Sequence, residues 1–489
     1  MIEGFLKATK NSPSSVAIID TNGERYSYQE LYTQAQRIAQ CINEDSHCVG
    51  IYTDNNFFTY AAVLGVLLKN KTFVPLNNKF PDERLGNIIQ QSNVWQVIAC
   101  EESKEKVQEI ADVDLVVADE TSEEIEINFD WGYTPSDIAY ILFTSGSTGV
   151  PKGIPISYKN FTSFIGSLTK KFELNEENKV LQAFELSFDV SIGLTFMALN
   201  SGAQLVLAPL DGIIAVSAYK AIIDFKIDFV TLPPSAVNYQ EKYKLIPQLE
   251  IPFVRTTLFT GEALPYEVVR KWKSVARYTD VYNAYGPTEV TVWSYFYKLN
   301  DSSDIELVNG LCPIGQPLTG VDVMIQPMDG EKENKGELLL GGDHVFEKYH
   351  HDPDKTKNAF YIDEERKKWY RTGDAVLLND LGNVVYINRL DNQVKVNGYR
   401  IELGEIEHAL RKILKVDTAV VLVGEDEKGN KQLEAFLDVD VDTKKMQEEL
   451  SNSLTFYMIP KVYHNIVTFP VNTNGKIDRK ELQKRINES

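Results

Sequence analysis

Apolar and polar positions alternate along this chain in two rhythms. Ser27-Tyr-Gln-Glu30 has the form of a capping box, and behind it Leu31, Ala35, Ile38, Ala39 and Ile42 recur at helical spacing. Short apolar runs at 49–52, 72–76, 94–99 and 113–117 read as strands, with a helical pattern at 59–68 between the first two. Such alternation predicts parallel α/β layers. An almost unbroken apolar run at 138–143 reads as a buried strand, and runs at 204–207, 229–232, 256–259 and 280–282 continue the series. Turn-forming residues follow several of them: Pro233-Pro234, Gly261-Glu262 and Gly286-Pro287. Ligands of open α/β sheets sit beyond the carboxyl ends of the strands, so Pro233, Gly261 and Tyr285 are expected to rim one cleft with Gly146.

From about 293 to 386 strand patterns dominate, with turns at Met328-Asp-Gly330 and Asn379-Asp-Leu-Gly382. This predicts a small β-rich, barrel-like part. Arg389-Leu-Asp391 marks a boundary. An extended stretch at 394–401, a helix at 405–414, strands at 419–423 and 433–439 and a final helix have the size of a compact α+β domain. The expected organisation is an N-terminal core, 1–389, and a C-terminal domain, 390–489, joined by a hinge. The acidic segment 120–128 reads as a solvated connection.

Composition narrows the class. The 489 residues exceed one ordinary core, and 43% hydrophobic with 25% charged residues suits a globular enzyme. A formal charge of −20 disfavours nucleic acid and anionic membrane surfaces as partners. Four cysteines without C-x-x-C spacing point to a reducing, cytoplasmic setting. Residues 1–10 do not read as a signal peptide, and no apolar run approaches the roughly 18 residues that insertion in a membrane needs. A monomer is expected. His350-His351 reads as a surface loop rather than a metal site.

The candidate chemistry starts at Thr144-Ser-Gly-Ser-Thr-Gly-Val-Pro-Lys-Gly153. Glycines let successive N–H groups turn toward one point, forming an anion nest, and Lys152 adds a mobile positive charge. A nucleotide phosphate is the natural guest; a flexible surface turn is the alternative. The Walker A spacing is absent. Four more motifs follow: Asn283-Ala-Tyr-Gly-Pro-Thr-Glu289, Tyr370-Arg-Thr-Gly-Asp374, Asp391-Asn-Gln-Val-Lys395 through Glu402, and Asn474-Gly-Lys-Ile-Asp-Arg479.

In order and spacing these five motifs resemble the adenylate-forming superfamily over almost the whole chain. Within it they are similar to the amino-acid adenylation domains of nonribosomal peptide synthetases and to stand-alone amino-acid–carrier protein ligases. The resemblance implies that an amino-acid carboxylate is joined to the α-phosphate of ATP with Mg²⁺, expelling pyrophosphate. The aminoacyl group would then pass to the phosphopantetheine thiol of a carrier protein. Because Ser489 follows the last motif so soon, that carrier is expected to arrive in trans. Two anions must be held together, so positioning and charge stabilisation dominate such a step.

The resemblance also assigns residues. Thr144, Ser145, Gly146, Ser147, Thr148 and Lys152 would hold the phosphates. Gly261, Glu262, Asn283, Ala284, Gly286, Pro287 and Thr288 would frame the nucleotide, with Tyr285 stacked on adenine. Asp374 would accept both ribose hydroxyls, and Tyr386 and Arg389 would touch the nucleotide, although Tyr386 also fits as a core aromatic. Glu289 is the expected Mg²⁺ ligand. Lys476 is the expected catalytic residue, offsetting negative charge on the reacting oxygens. Asp391 would be the hinge, and Gly398 would line the thiol path.

Asp189 lies in an otherwise apolar stretch, where a carboxylate is costly unless paired. The resemblance gives it the substrate ammonium; a helix N-cap is the alternative. Val190, Gly193, Thr231, Leu258, Thr260, Ala284, Val292 and Trp293 would line the side-chain pocket together with Lys476. None of the eight is charged, which predicts a neutral, apolar or aromatic amino acid. Three other readings stay open: a D-alanine–carrier protein ligase, an acyl- or aryl-CoA ligase, and a non-catalytic nucleotide-binding or scaffolding subunit. Asp189 argues against the second, and Lys476, Glu289 and Asp374 against the third. Lys476, Arg479, Lys480, Lys484 and Arg485 would face an acidic carrier or form a solvated helix face. Asn388 departs from the glycine that relatives commonly have before the arginine.

Overall fold

A computed structural model describes residues 1–119, 132–145, 151–211, 214–237, 250–299, 305–328, 334–391, 393–426, 429–470 and 477–488. The chain divides into two compact units. The first comprises Met1–Asn78, Ile89–Leu142 and Gly153–Leu390; the second comprises Lys79–Ile88, Phe143–Lys152 and Asp391–Ser489. Among the described residues no helix is long and apolar enough to cross a membrane.

The first unit is layered α/β, as the alternation predicts. In a nine-stranded sheet the strands Asp280–Tyr285, Thr256–Phe259, Phe229–Leu232, Lys179–Gln182, Gln204–Leu207 and Val16–Ile19 run parallel, in that order. Their sequences are nearly continuous apolar runs because both faces are covered. Register keeps the strand ends level: Leu232 pairs with Phe259, and Phe259 with Asn283. The next residues, Pro233, Thr260 and Ala284, therefore emerge along one edge.

A second, six-stranded sheet includes Cys48–Thr53, Thr72–Asn77 and Gln96–Ala99. The helix Tyr28–Cys41 starts at the expected capping box, in which Ser27 and Glu30 satisfy each other's backbone N–H. It packs on the helix Phe57–Leu68, which is apolar except at Thr59 and almost entirely buried. At their contact a Cβ on Gly65 would stand 2.8 Å from the Ala35 carbonyl oxygen.

The β-rich part begins later than its alternation suggests. Tyr295–Leu299 and Gln316–Pro317 extend the nine-stranded sheet as antiparallel strands. The separate five-stranded sheet comprises Val321–Pro327, Lys335–Gly342, Phe360–Ile362, Lys368–Leu378 and Val384–Arg389. Period-two patterning marks a strand without saying which sheet edge it joins.

In the second unit the extended stretch at 394–401 is a hairpin. Gln393–Val396 pairs with Tyr399–Glu402 around Asn397-Gly398, whose φ angles of 52° and 85° are those of a two-residue primed turn. The helix Leu403–Leu414 follows and packs on the strands Ala419–Glu425 and Lys431–Leu437 through Ile406, Leu410, Val421 and Leu433. The final helix Arg479–Glu488 buries Leu482 and Ile486 and exposes Lys480, Lys484 and Arg485. Arg479 is spent inside the unit, on Glu407 at 2.6 Å.

The close approach at Gly65 yields a stability prediction. Gly65→Val should cost about 1–3 kcal/mol through overpacking against a backbone oxygen that cannot swing away. A lowered urea midpoint with unchanged slope would show it.

Candidate active site

Asp374 and Arg389 face each other across two antiparallel strands of the five-stranded sheet. The Arg389 guanidinium donates to Asp374 Oδ1 at 2.9 Å and to the Thr372 carbonyl at 2.6 Å. The Tyr285 hydroxyl, from the end of its parallel strand, donates to Asp374 Oδ2. Asp374 is only 3% exposed, so this pairing is what allows its charge to be buried. Burial, and after it the Asp374 charge, hold the Tyr285 hydroxyl well above the usual phenol range, so it stays a donor. The cluster joins two of the five motifs in one place. Asn388 leaves it intact, donating to the Arg389 carbonyl. Tyr386 is half-buried and packs against the main core, as the core-aromatic alternative requires.

The expected pocket residues converge in the same unit. Gly193, Thr231, Leu258, Thr260, Ala284, Val292 and Trp293 are all buried, and Val190 is half-buried. Trp293 Nε1 donates to Thr260 Oγ1 at 2.9 Å, which fixes the indole. A Cβ on Gly193 would stand 3.1 Å from Val292 Cγ1 and 3.5 Å from the Phe164 ring. The opening a glycine would leave is thus taken by Val292 and Phe164. Asp189 is the first residue of the helix Asp189–Asn200 and half-buried. The cap position is Phe188, so the N-cap alternative for Asp189 does not hold. The Asp189 charge, behind burial itself, helps raise the buried Tyr140 hydroxyl far above its ordinary range.

Asn283 and Glu262 hold the framework here. Asn283 Nδ2 donates to the Pro313 carbonyl at 2.8 Å, and Glu262 accepts the Ser235 N–H at 3.0 Å. Gly261 has a φ of 86°. Pro287 and Thr288 lead into a short turn that carries Glu289. Gly286 admits no side chain, since a Cβ would lie 2.5 Å from the Val292 carbonyl oxygen.

Glu289 is fully buried, and the Tyr349 hydroxyl donates to its Oε1 at 2.9 Å. Among the described residues no group of three or more His, Cys, Asp or Glu could hold a metal. One oriented carboxylate suits Mg²⁺, which takes few protein ligands and completes its shell with phosphate oxygens and water.

The second unit holds the phosphate-loop motif. Thr144 ends the strand Ile138–Thr144, and its buried hydroxyl makes no hydrogen bond to a described residue. Lys152 is buried. The Ser145 hydroxyl donates to the Arg400 carbonyl and accepts the Glu402 N–H, both at 3.2 Å. Gly146, Ser147, Thr148 and the catalytic candidate Lys476 lie outside the described residues. Asp391 opens this unit and accepts the Gln393 N–H at 3.0 Å; Gly398 is at the hairpin tip.

Sequence reasoning missed Phe164, Tyr349 and His344. Phe164 sits against Trp293, with ring centroids 6.2 Å apart, and the His344 ring meets Phe164 edge-on at 6.0 Å. Burial pushes His344 down to about 4, so its ring is neutral. Nothing local in the sequence marks these residues; each reaches the site across many intervening residues.

The AMP-binding enzyme family matches residues 5–350. Bacitracin synthase 2 of Bacillus licheniformis is 30% identical over 98% of this chain, which spans 18% of that protein. Tyrocidine synthase 1 of Brevibacillus parabrevis is also 30% identical over 98% of the chain, which spans 44% of its length. The chain thus spans less than half the length of these relatives. D-alanine–D-alanyl carrier protein ligase of Lactococcus lactis is 28% identical, with 99% of both chains covered. Among solved structures, the Vibrio cholerae adenylation domain AlmE in complex with glycyl-adenosine-5'-phosphate shares the fold. Its TM-score is 0.85 at 23% identity, with 99% of this chain and 97% of that one covered. IdnL7 is 26% identical, with a TM-score of 0.73 and 100% and 98% coverage. The chain belongs to the AMP-binding enzyme family, the adenylate-forming family that its five motifs resemble.

Proposed function

We propose that this protein joins the carboxylate of a neutral amino acid to the α-phosphate of ATP and then passes the aminoacyl group to the phosphopantetheine thiol of a carrier protein. The observation that carries the reading is Asp189, a carboxylate at the head of a helix on which Gly193 meets the uncharged Val292 wall. A helix N-terminus favours a negative charge, and a substrate ammonium would pair with that carboxylate. The relatives agree: a peptide synthase and a carrier protein ligase are both similar over nearly the full chain. A carrier protein as the acceptor is supported by the likeness to the D-alanine–D-alanyl carrier protein ligase.

In this reading Asp374 takes the ribose hydroxyls, with Arg389 and Tyr285 holding it in place and the Tyr285 ring lying on adenine. Thr144, Ser145 and Lys152 take phosphate oxygens together with Gly146, Ser147 and Thr148. The buried hydroxyl of Thr144, without a hydrogen-bond partner among the described residues, supports this, because a buried hydroxyl needs a partner. Glu289, oriented by Tyr349, holds Mg²⁺, which supplies charge neutralisation at the phosphates. Lys476 offsets the charge that develops on the reacting oxygens. Asp391 is the hinge, and Gly398 lines the thiol path.

One observation narrows the amino acid. Val292 and Phe164 fill the space at Gly193, and Thr260 locks Trp293. That favours a small side chain, such as that of glycine or alanine, over an aromatic one.

Pyrophosphate release measured over a panel of amino acids and simple acids tests the reading. Small neutral amino acids should lead, with lysine, glutamate and propionate far below; preference for a charged amino acid would sink it. Asp189→Ala should shrink the preference for alanine over propionate by about a hundredfold, since one close charge pair in a partly buried site is worth a few kcal/mol.

Lys476→Ala should lose amino-acid-dependent pyrophosphate exchange by orders of magnitude while ATP affinity, by calorimetry, changes little. Normal exchange by that variant would remove Lys476 from the mechanism.

A further inference from the structure

Arg84 and Glu405 lie 321 positions apart, and both belong to the second unit. Their side chains are 3% and 2% exposed, with Nη1 and Oε1 2.7 Å apart. Arg84 comes from the helix Asp82–Gln91, with its guanidinium 5.3 Å from the Phe80 ring centroid. Glu405 is in the first turn of Leu403–Leu414, the helix that directly follows the Gln393–Glu402 hairpin.

A buried ion pair of this kind is a poor source of net stability, because desolvating two charges consumes most of the attraction. This pair is also incompletely satisfied: Arg84 Nε is buried with no hydrogen bond to a described residue. Such a pair is strict about geometry, because neither charge tolerates losing the other. It is well suited to fixing one arrangement of a segment that has more than one.

A second anchor holds the strand Tyr399–Glu402, which leads into the helix Leu403–Leu414. Ser145 grips Arg400 and Glu402, three residues before Glu405, through one hydroxyl that both donates and accepts. Ser145 belongs to the phosphate-loop motif, and in the proposed function its hydroxyl serves the phosphates during adenylation. Here the hairpin uses it. The arrangement therefore fits the stage after pyrophosphate has left, when the thiol reacts.

We propose that the Arg84–Glu405 pair is the latch that seats the Gln393–Glu402 hairpin for thioester formation, so that Arg84 is a positioning residue for that step and not for adenylation. The inference rests on the function proposed above. In the step served, the pantetheine sulfur attacks the aminoacyl carbonyl carbon and a C–S bond forms. The C–O bond to the α-phosphate breaks, AMP leaves with the electron pair, and the thiol proton passes to solvent. Arg84 and Glu405 touch none of these atoms; they hold the hairpin in place.

The test uses the full chain carrying Arg84→Met, Glu405→Gln, or both Arg84→Glu and Glu405→Arg. Amino-acid-dependent pyrophosphate exchange reads the first half-reaction. Thioester formation on free pantetheine, by mass spectrometry, reads the second. Each single variant should keep exchange within about twofold and lose about tenfold or more in thioester formation, and the charge swap should regain part of the loss. Unchanged thioester formation in both single variants, or equal loss in both half-reactions, overturns the proposal. Should Arg84→Met fail to fold, Glu405→Gln, nearly identical in volume, decides alone. Amide hydrogen exchange of the hairpin gives an independent reading: residues 393–402 should exchange faster in either single variant, and unchanged protection overturns the latch. If the wild-type protein exchanges pyrophosphate with no amino acid, the amino-acid reading fails instead, and hairpin exchange still decides the latch.

Discussion

A carboxylate taken out of water must be paired, and the functional parts of this chain are arranged around that requirement. Asp374 is buried against Arg389 and Tyr285, Glu289 against Tyr349, and Glu405 against Arg84. In each case the partner comes from a different element, so the pair exists only when the elements are assembled. The acid then cannot wander among rotamers. A fixed carboxylate can accept a ribose diol or hold a hard cation without reorganising when the ligand arrives, and that lack of reorganisation is what makes fixed charge effective in catalysis.

One strained turn couples two of these tasks. Thr291 and Val292 have φ angles of 51° and 69°, in a region β-branched residues rarely enter. Gly286 leaves room for the chain to fold back, and Thr291 Oγ1 donates to the His344 carbonyl at 2.6 Å, holding the turn in place. Glu289 stands at its start and Trp293 at its end. The carboxylate proposed to hold the metal and the proposed pocket wall are thus set by one backbone conformation. Strain of this kind persists only where the surroundings over-determine it, which fits the two tasks proposed for this turn.

The alternation of strand and helix was legible because buried parallel strands leave continuous apolar runs and amphipathic helices leave periodic ones. The Ser27–Glu30 box and the carboxyl-edge turns at Pro233, Gly261 and Gly286 follow from local chemistry alone. What stayed hidden is what depends on partners far away in sequence. Nothing in the alternation at 295–299 says that this strand extends the parallel sheet rather than joining the five-stranded one. The hairpin at Gln393–Glu402 carries its signal in Asn397-Gly398, a strong primed-turn pair, yet the alternation at 394–401 reads only as an extended stretch. The filling of Gly193's space by Phe164 could not be read at all, since a glycine in a sequence says only that a side chain is missing and not what replaces it.

The overall charge of −20 looks ill-suited to a protein whose proposed ligands are a nucleotide and a carboxylate. Screening resolves this. At physiological salt the field of exposed charges fades over about 8 Å, so most of the acidic surface is not felt inside a buried site. Buried charges are screened far less, and within the first unit the balance differs: Arg389 is largely buried, and the Asp374 carboxylate is already matched by it. A nucleotide bound there would meet a local field set by a few enclosed groups rather than by the surface. In the proposed function Asp189, a half-buried acid at the head of a helix, would hold a zwitterion's positive end while its carboxylate stays available for reaction.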